Sequence, residues 1–145
     1  MKKLKNALGL LCLFLLICPM CLPFAAAEDM DTPVHEDPPI DLLYITRVDC
    51  KLTIPGSSAN INSFVRGTYG STTKCEIDLS LQKKTLSGWD TVATWAKIEN
   101  SWQATLSPSR AVVSGKTYRA VAVFTVWNGN NSETITVTSG SVKAP

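Results

Sequence analysis

One stretch of the chain is apolar on both of its alternating faces. It runs from Lys116 to Trp127: Tyr118, Ala120, Ala122, Phe124 and Val126 share one parity, and Val121, Val123 and Trp127 the other. A strand with two apolar faces belongs in the middle of a sheet, covered on at least one side. Ser114-Gly115 before it reads as a turn, and Asn128-Gly129-Asn130-Asn131 after it as a hairpin loop.

Other segments alternate more simply. Val48, Cys50, Leu52 and Ile54 interleave with Asp49, Lys51 and Thr53, and Pro55-Gly56 stops the run. Asn60 to Tyr69 places Ile61, Val65 and Tyr69 on one face. Cys75, Ile77, Leu79 and Leu81 alternate with Glu76, Asp78, Ser80 and Gln82, a half-buried strand. Ser87-Gly88 turns the chain into Trp89 to Ile98. Ser101 to Leu106 sets Trp102, Ala104 and Leu106 on one face, which gives Trp102 a core position; Pro108 ends it. Glu133 to Ser139 points Ile135 and Val137 inward against Thr134, Thr136 and Thr138, β-branched residues that suit a strand. The pattern predicts an all-β domain of seven strands, spaced roughly 8–12 residues apart, with no helix-length amphipathic segment: a β-sandwich.

The N-terminal end follows another logic. Lys2, Lys3 and Lys5 precede an apolar run from Ala7 to Cys18; Pro19 and Pro23 break it, and Ala25-Ala26-Ala27 follows. This predicts a secretory signal peptide over 1–27, cleaved between Ala27 and Glu28. The run is short of the ~20 apolar residues of a spanning helix, so no transmembrane segment is expected in the mature chain. Acylation at Cys21 would make the chain a lipoprotein, but Cys18-Pro19-Met20 is bulky where that processing needs small residues. The mature chain, 145 residues less the 27, holds one domain.

Export changes the reading of charge and cysteine. The net charge of +2 includes three lysines that leave with the signal. Six acids (Glu28, Asp29, Asp31, Glu36, Asp37 and Asp41) crowd the start of the mature chain, beside Pro33, Pro38 and Pro39. So 28–42 is expected to be a disordered acidic leader and 43–145 the sandwich. The remaining basic bias lacks a basic run, so nucleic acid is not implied. Two cysteines survive cleavage, Cys50 and Cys75. An even count in an exported chain predicts one disulfide. Two flanking strands of one sheet lie ~9.5 Å apart, beyond the roughly 7 Å between Cα atoms that a disulfide allows. A bond therefore requires the first and third strands to pair directly or to lie in different sheets.

Ser114-Gly115-Lys116-Thr117-Tyr118-Arg119-Ala120-Val121-Ala122-Val123 resembles the sixth strand of fibronectin type III and related immunoglobulin-like domains. The resemblance implies an immunoglobulin-like β-sandwich from about Leu43 to Val142, with Tyr118 as the corner tyrosine hydrogen-bonded to upstream backbone. Two features depart from it. The second strand has no tryptophan, and the Cys50–Cys75 spacing is shorter than the immunoglobulin inter-sheet bond. The whole chain also resembles small exported Gram-positive bacterial proteins of uncharacterised function.

Candidate chemistry is sparse. His35 is the lone histidine and lies in the leader. The folded part therefore lacks the parts for Ser-His-Asp or Cys-His nucleophiles and for His-ligated zinc. A metal at His35, Glu36, Asp37 and Asp41 would have to order its own site. Glu76 and Asp78 share a strand face, and paired carboxylates can hydrolyse glycosides, but a solvated strand face needs such charges anyway. No enzyme activity and no cofactor are expected. Trp89 and Trp95 share a parity opposite to Val92 and Ile98, and Trp127 is opposite Phe124 and Val126. If Val92 and Ile98 point inward, Trp89, Trp95, Val121, Val123 and Trp127 form an outward binding patch; if the tryptophans are the inward face, or the leader covers them, they do not. The expected function is a secreted, non-enzymatic binding or adhesion module for a protein or glycan at the cell surface. A carbohydrate-binding module using the tryptophans and a secreted bacteriocin-like effector are the alternatives.

Overall fold

The computed structural model describes residues 42–145. The expected signal peptide with Ala25, Ala27 and Glu28, and the expected leader up to Asp41 with His35, lie outside the described residues. Nine strands follow in order: β1 Ile45–Thr53, β2 Ser58–Gly67, β3 Lys74–Thr85, β4 Gly88–Glu99, β5 Gln103–Leu106, β6 Ser109–Ala111, β7 Thr117–Asn128, β8 Asn131–Thr138 and β9 Val142–Lys143. All pairings are antiparallel, in two sheets. One has the order β1-β2-β5, with β6 also on β2; the other has the order β4-β3-β7-β8, with β9 also on β7. Among the described residues no helix is long and apolar enough to cross a membrane.

The count is nine, against seven expected, because two edge lines are broken. β5 pairs with Ser63 to Arg66 and β6 with Ser58 to Asn60, so both run along β2 with a break at Ser107-Pro108. Pro108 has no N–H for the ladder, but its carbonyl still accepts the Ile61 N–H at 3.0 Å. β8 and β9 likewise share β7, parted at Ser139-Gly140-Ser141. There the Ser139 hydroxyl accepts the Ala120 N–H and donates to the Gly140 carbonyl, each at 2.9 Å, which keeps a buried amide satisfied across the gap. Short, interrupted edges are poor templates for unwanted pairing.

β7 lies between β3 and β8. Its Tyr118, Ala120, Ala122, Phe124 and Val126 are all buried, facing Val48, Cys50, Leu52, Ile61 and Val65 of the opposite sheet within a single core. The Tyr118 hydroxyl accepts the Val113 N–H at 3.0 Å, so the polar end of this buried ring is satisfied. Gly129, at φ 60°, supplies the left-handed residue of the two-residue loop between Asn128 and Asn131. β4 points Lys97 and Glu99 toward the sandwich interior at its open edge. They pair at 3.0 Å, and the Lys97 ammonium donates to the Thr105 carbonyl on the other sheet, also at 3.0 Å.

Glu133 ties the start of β1 to β8. Its Oε1 accepts the Leu43 N–H at 2.8 Å, and its Oε2 accepts those of Tyr44 and Ile45 at 2.8 and 2.9 Å. Partial burial pushes this carboxyl upward, but the three amide donors together outweigh it and hold it below its usual range.

The disulfide expectation is corrected. Cys50 lies on β1 and Cys75 on β3, in different sheets as a bond requires, yet both are buried free thiols. Cys75 sits against the Gly67 backbone, and Gly67 pairs with Ile45, five residues along β1 from Cys50. That offset is about 16 Å at strand rise, more than twice the reach of a disulfide. The thiols have been displaced along the strands, which alternation cannot reveal. Burial pushes the Cys50 thiol up to about 12, with Asp49 adding to it, and burial raises Cys75 as well. Such thiols hold almost no thiolate at neutral pH and resist oxidation.

Two outcomes follow. Iodoacetamide should label neither cysteine in the native protein and both in denaturant without reductant; protection that persists in denaturant would mean a bond. Glu133→Gln should cost about 1 kcal/mol at neutral pH, discounted for its partial exposure. Because the folded pKa is depressed, the wild-type contribution is complete above the unfolded value of 4.5 and is lost as pH falls through the lower folded value. Denaturation midpoints of the two proteins should therefore converge below that pH.

Candidate functional site

A two-layer sandwich buries one face of each sheet, so the second apolar face of β7 is left outward. Val121 and Val123 occupy it, half-buried by their neighbours. On β3 they lie opposite Ser80 and Asp78, and on β8 opposite Thr138 and Thr136. Asp78 and Ser80 in turn face Ala96 and Thr94 of β4. Together these residues line an open depression of about 390 Å³, formed by Asp78, Ser80, Thr94, Ala96, Val121 and Val123 with Leu79 and Trp95 between them. Ile98, 58% exposed, extends the same face along β4 beside Glu76. The Ser80 hydroxyl donates to the Val121 carbonyl at 3.3 Å, and Thr125 and Thr134 join hydroxyls at 3.0 Å.

A tryptophan and a cation close each end of this face. Trp127 pairs with Lys74, whose ammonium lies 3.6 Å from the ring centroid. At the other end the Arg119 guanidinium lies 4.3 Å from the Trp89 ring and donates through Nε to Gln82 Oε1 at 2.8 Å. Such cation–ring contacts fix both partners. Arg119 and Trp127 are eight residues apart on β7, so the platform between the two ends is about 26 Å long.

Four of the five patch residues, Trp89, Val121, Val123 and Trp127, share this outer face. Trp95 does not. It pairs with Leu79, a core residue, and packs against the core from β4. A β-bulge separates the two tryptophans: Leu81 pairs with Ala93, but Gln82 pairs with Thr91, leaving Val92 as an extra residue. One inserted residue inverts the parity of everything beyond it. Trp89 and Trp95 share a parity in the sequence and lie on opposite faces in the fold. Ile98 likewise points outward.

Trp102 and Tyr69 also depart from expectation. Trp102 precedes β5 and lies outside the buried core; its ring rests 5.1 Å from the Arg66 guanidinium and meets Tyr69 edge-on at 5.4 Å. Tyr69 lies past the end of β2 and is 79% exposed. Arg66 and Arg47 also flank Phe64, at 5.2 and 6.0 Å. This arginine–aromatic row is on the outer face of the other sheet. Sequence reading missed it because its members come from β1, β2 and the loops beside them, with no shared motif. Lys74 and Arg119 were missed for the same reason. Among the described residues no group of three or more His, Cys, Asp or Glu is placed to hold a metal ion.

No family model matches the chain, and no curated protein matches it. Among solved structures, the solution structure of R. palustris CsgH is similar over 63% of this chain and 91% of that one, at 13% identity and a TM-score of 0.37.

The two tryptophan placements separate in a stability measurement. Trp95→Ala should cost about 3 kcal/mol, in the range of a large ring removed from packed surroundings. Trp127→Ala should cost about 1 kcal/mol, the loss of one cation–ring contact and a little area. Urea midpoints check this; equal losses would contradict the opposite-face assignment.

Proposed function

We propose that this chain is an exported, non-enzymatic immunoglobulin-like binding module whose contact surface is the outer face of the β4-β3-β7-β8 sheet. The observation that carries the reading is the depression over Val121, Val123 and Ala96, bounded by Asp78 and framed by the two tryptophan–cation pairs. An apolar centre with a few polar groups and aromatic–cation corners is the composition of a protein contact surface. The partition of strands supports the immunoglobulin-like part: β1, β2 and β5 in one sheet face β3, β7 and β8 in the other, with Tyr118 accepting upstream backbone at the start of β7. Export rests on the N-terminal sequence, and the unreactive buried thiols are compatible with an oxidising compartment.

The carbohydrate reading draws on the same face, because Trp89 and Trp127 flank the hydroxyls of Ser80 and Thr94. A sugar stacks on an aromatic face, however, and each of these rings already has a cation on one face. The protein-contact reading therefore comes first, and the partner is a protein at the cell surface. Nothing in the geometry of the site points to the bacteriocin-like effector.

Val123→Glu tests the proposal. An unpaired carboxylate in an apolar contact should exceed the ~1.4 kcal/mol that makes a tenfold change in affinity. The labelled wild-type chain should sediment with intact cells of the species that encodes it. The variant should do so at least about tenfold less at an unchanged melting midpoint. Equal sedimentation of both would overturn the assignment of this face, and loss after glycan-degrading treatment of the cells, with protease without effect, would favour the carbohydrate reading.

A further inference from the structure

The outer face of the β1-β2-β5 sheet carries positive charge that no carboxylate among the described residues pairs with. Arg47 and Arg66 lie opposite each other on β1 and β2. The Arg66 guanidinium carbon lies 5.2 Å from the Phe64 ring and 5.1 Å from the Trp102 ring, and that of Arg47 6.0 Å from Phe64, so the rings hold two donor-rich cations side by side. The side-chain acceptor that Arg66 has is Gln103 Oε1, at a long 3.4 Å, and its enclosed Nε–H has no acceptor. The described ion pair, Lys97–Glu99, belongs to the other sheet. Asp49 shares the arginine face opposite Phe64, but Lys51, on the same side of β1, offsets it.

We propose that this face docks an acidic peptide segment, and that the segment is the chain's own Glu28–Asp41. That segment, outside the described residues, has six carboxylates in fourteen positions and no Lys or Arg. It joins the fold at Leu42, and Asp41 is six residues from Arg47. Glu133 holds the amides of Leu43, Tyr44 and Ile45, so the root of the segment is fixed beside the arginine end of β1. Fourteen residues reach at most about 46–50 Å, ample to cross to Trp102 and Tyr69. Single exposed ion pairs are weak, but a short tether supplies an effective concentration on the order of millimolar, where weak contacts suffice. On the opposite sheet the outer-face cations Lys74 and Arg119 are already engaged with Trp127 and with Trp89 and Gln82, and Glu76 and Asp78 lie between them. The inference does not depend on what the β4-β3-β7-β8 face binds.

A nitroxide at Val34→Cys in the chain from Glu28 to Pro145 tests it, since buried Cys50 and Cys75 leave the new thiol as the one open to labelling. Amide signals of Tyr69, Trp102 and Gln103 should broaden, while Trp127 and Ser132, which adjoin Glu133 on the other sheet, should not. The broadening should vanish in Arg47→Gln/Arg66→Gln and in roughly 1 M NaCl, where the screening length falls to about 3 Å. Broadening centred on Trp127 and Ser132, or persistence in the double variant or in high salt, would overturn the proposal. Equal broadening in a mixture of nitroxide-bearing and isotope-enriched chains would assign the contact to a second copy and overturn the intramolecular source.

Discussion

The structure depends on one constraint: β7 is apolar on both faces, and a two-layer sandwich buries only one of them. The inward row from Tyr118 to Val126 is enclosed almost completely. That fixes β7 between β3 and β8 and builds the core around Phe124. Val121 and Val123 are then forced outward, where an apolar surface on a polar sheet becomes the place a partner would be expected. The candidate site is the unburied half of the strand that organises the fold.

The two outer faces carry different chemistry for reasons that lie in strand pairing. On one, β3 contributes alternate polar residues, so Asp78 and Ser80 border the valines from β7, and the tryptophans sit at the ends with Lys74 and Arg119 on their rings. On the other, Arg47 and Arg66 are direct neighbours across β1 and β2, an arrangement of like charges that rings on either side make tolerable. Between the sheets, Glu133 provides a charged clasp that accepts the amides of Leu43, Tyr44 and Ile45 where the chain enters β1. The edges are managed by interruption at Pro108 and Gly140, by the bulge at Val92 and by Lys97 and Glu99 directed inward.

The all-β class and most of the strands were legible from alternation. Period-two alternation is a local property, and it located β1, β2, β3, β7 and β8 and named Val48, Ile61, Val65, Ile77, Leu79 and Phe124 as core. It also left the outward position of Val121 and Val123 legible, since that follows from β7 alone. Whatever depends on register was settled by long-range pairing. A single extra residue at Val92 put Trp89 and Trp95 on opposite faces, and no count of alternation detects an unpaired position. Cys50 and Cys75 both face the core, from opposite sheets, but at different heights along the strands, which is set by how the two sheets slide together. Trp102 kept the parity of Ala104 but lies before the strand begins, where the ladder no longer dictates its direction and Arg66 and Tyr69 do. Alternation records which residues share a side of one strand; which strands meet, and at what level, is decided by long-range contacts that no local pattern encodes.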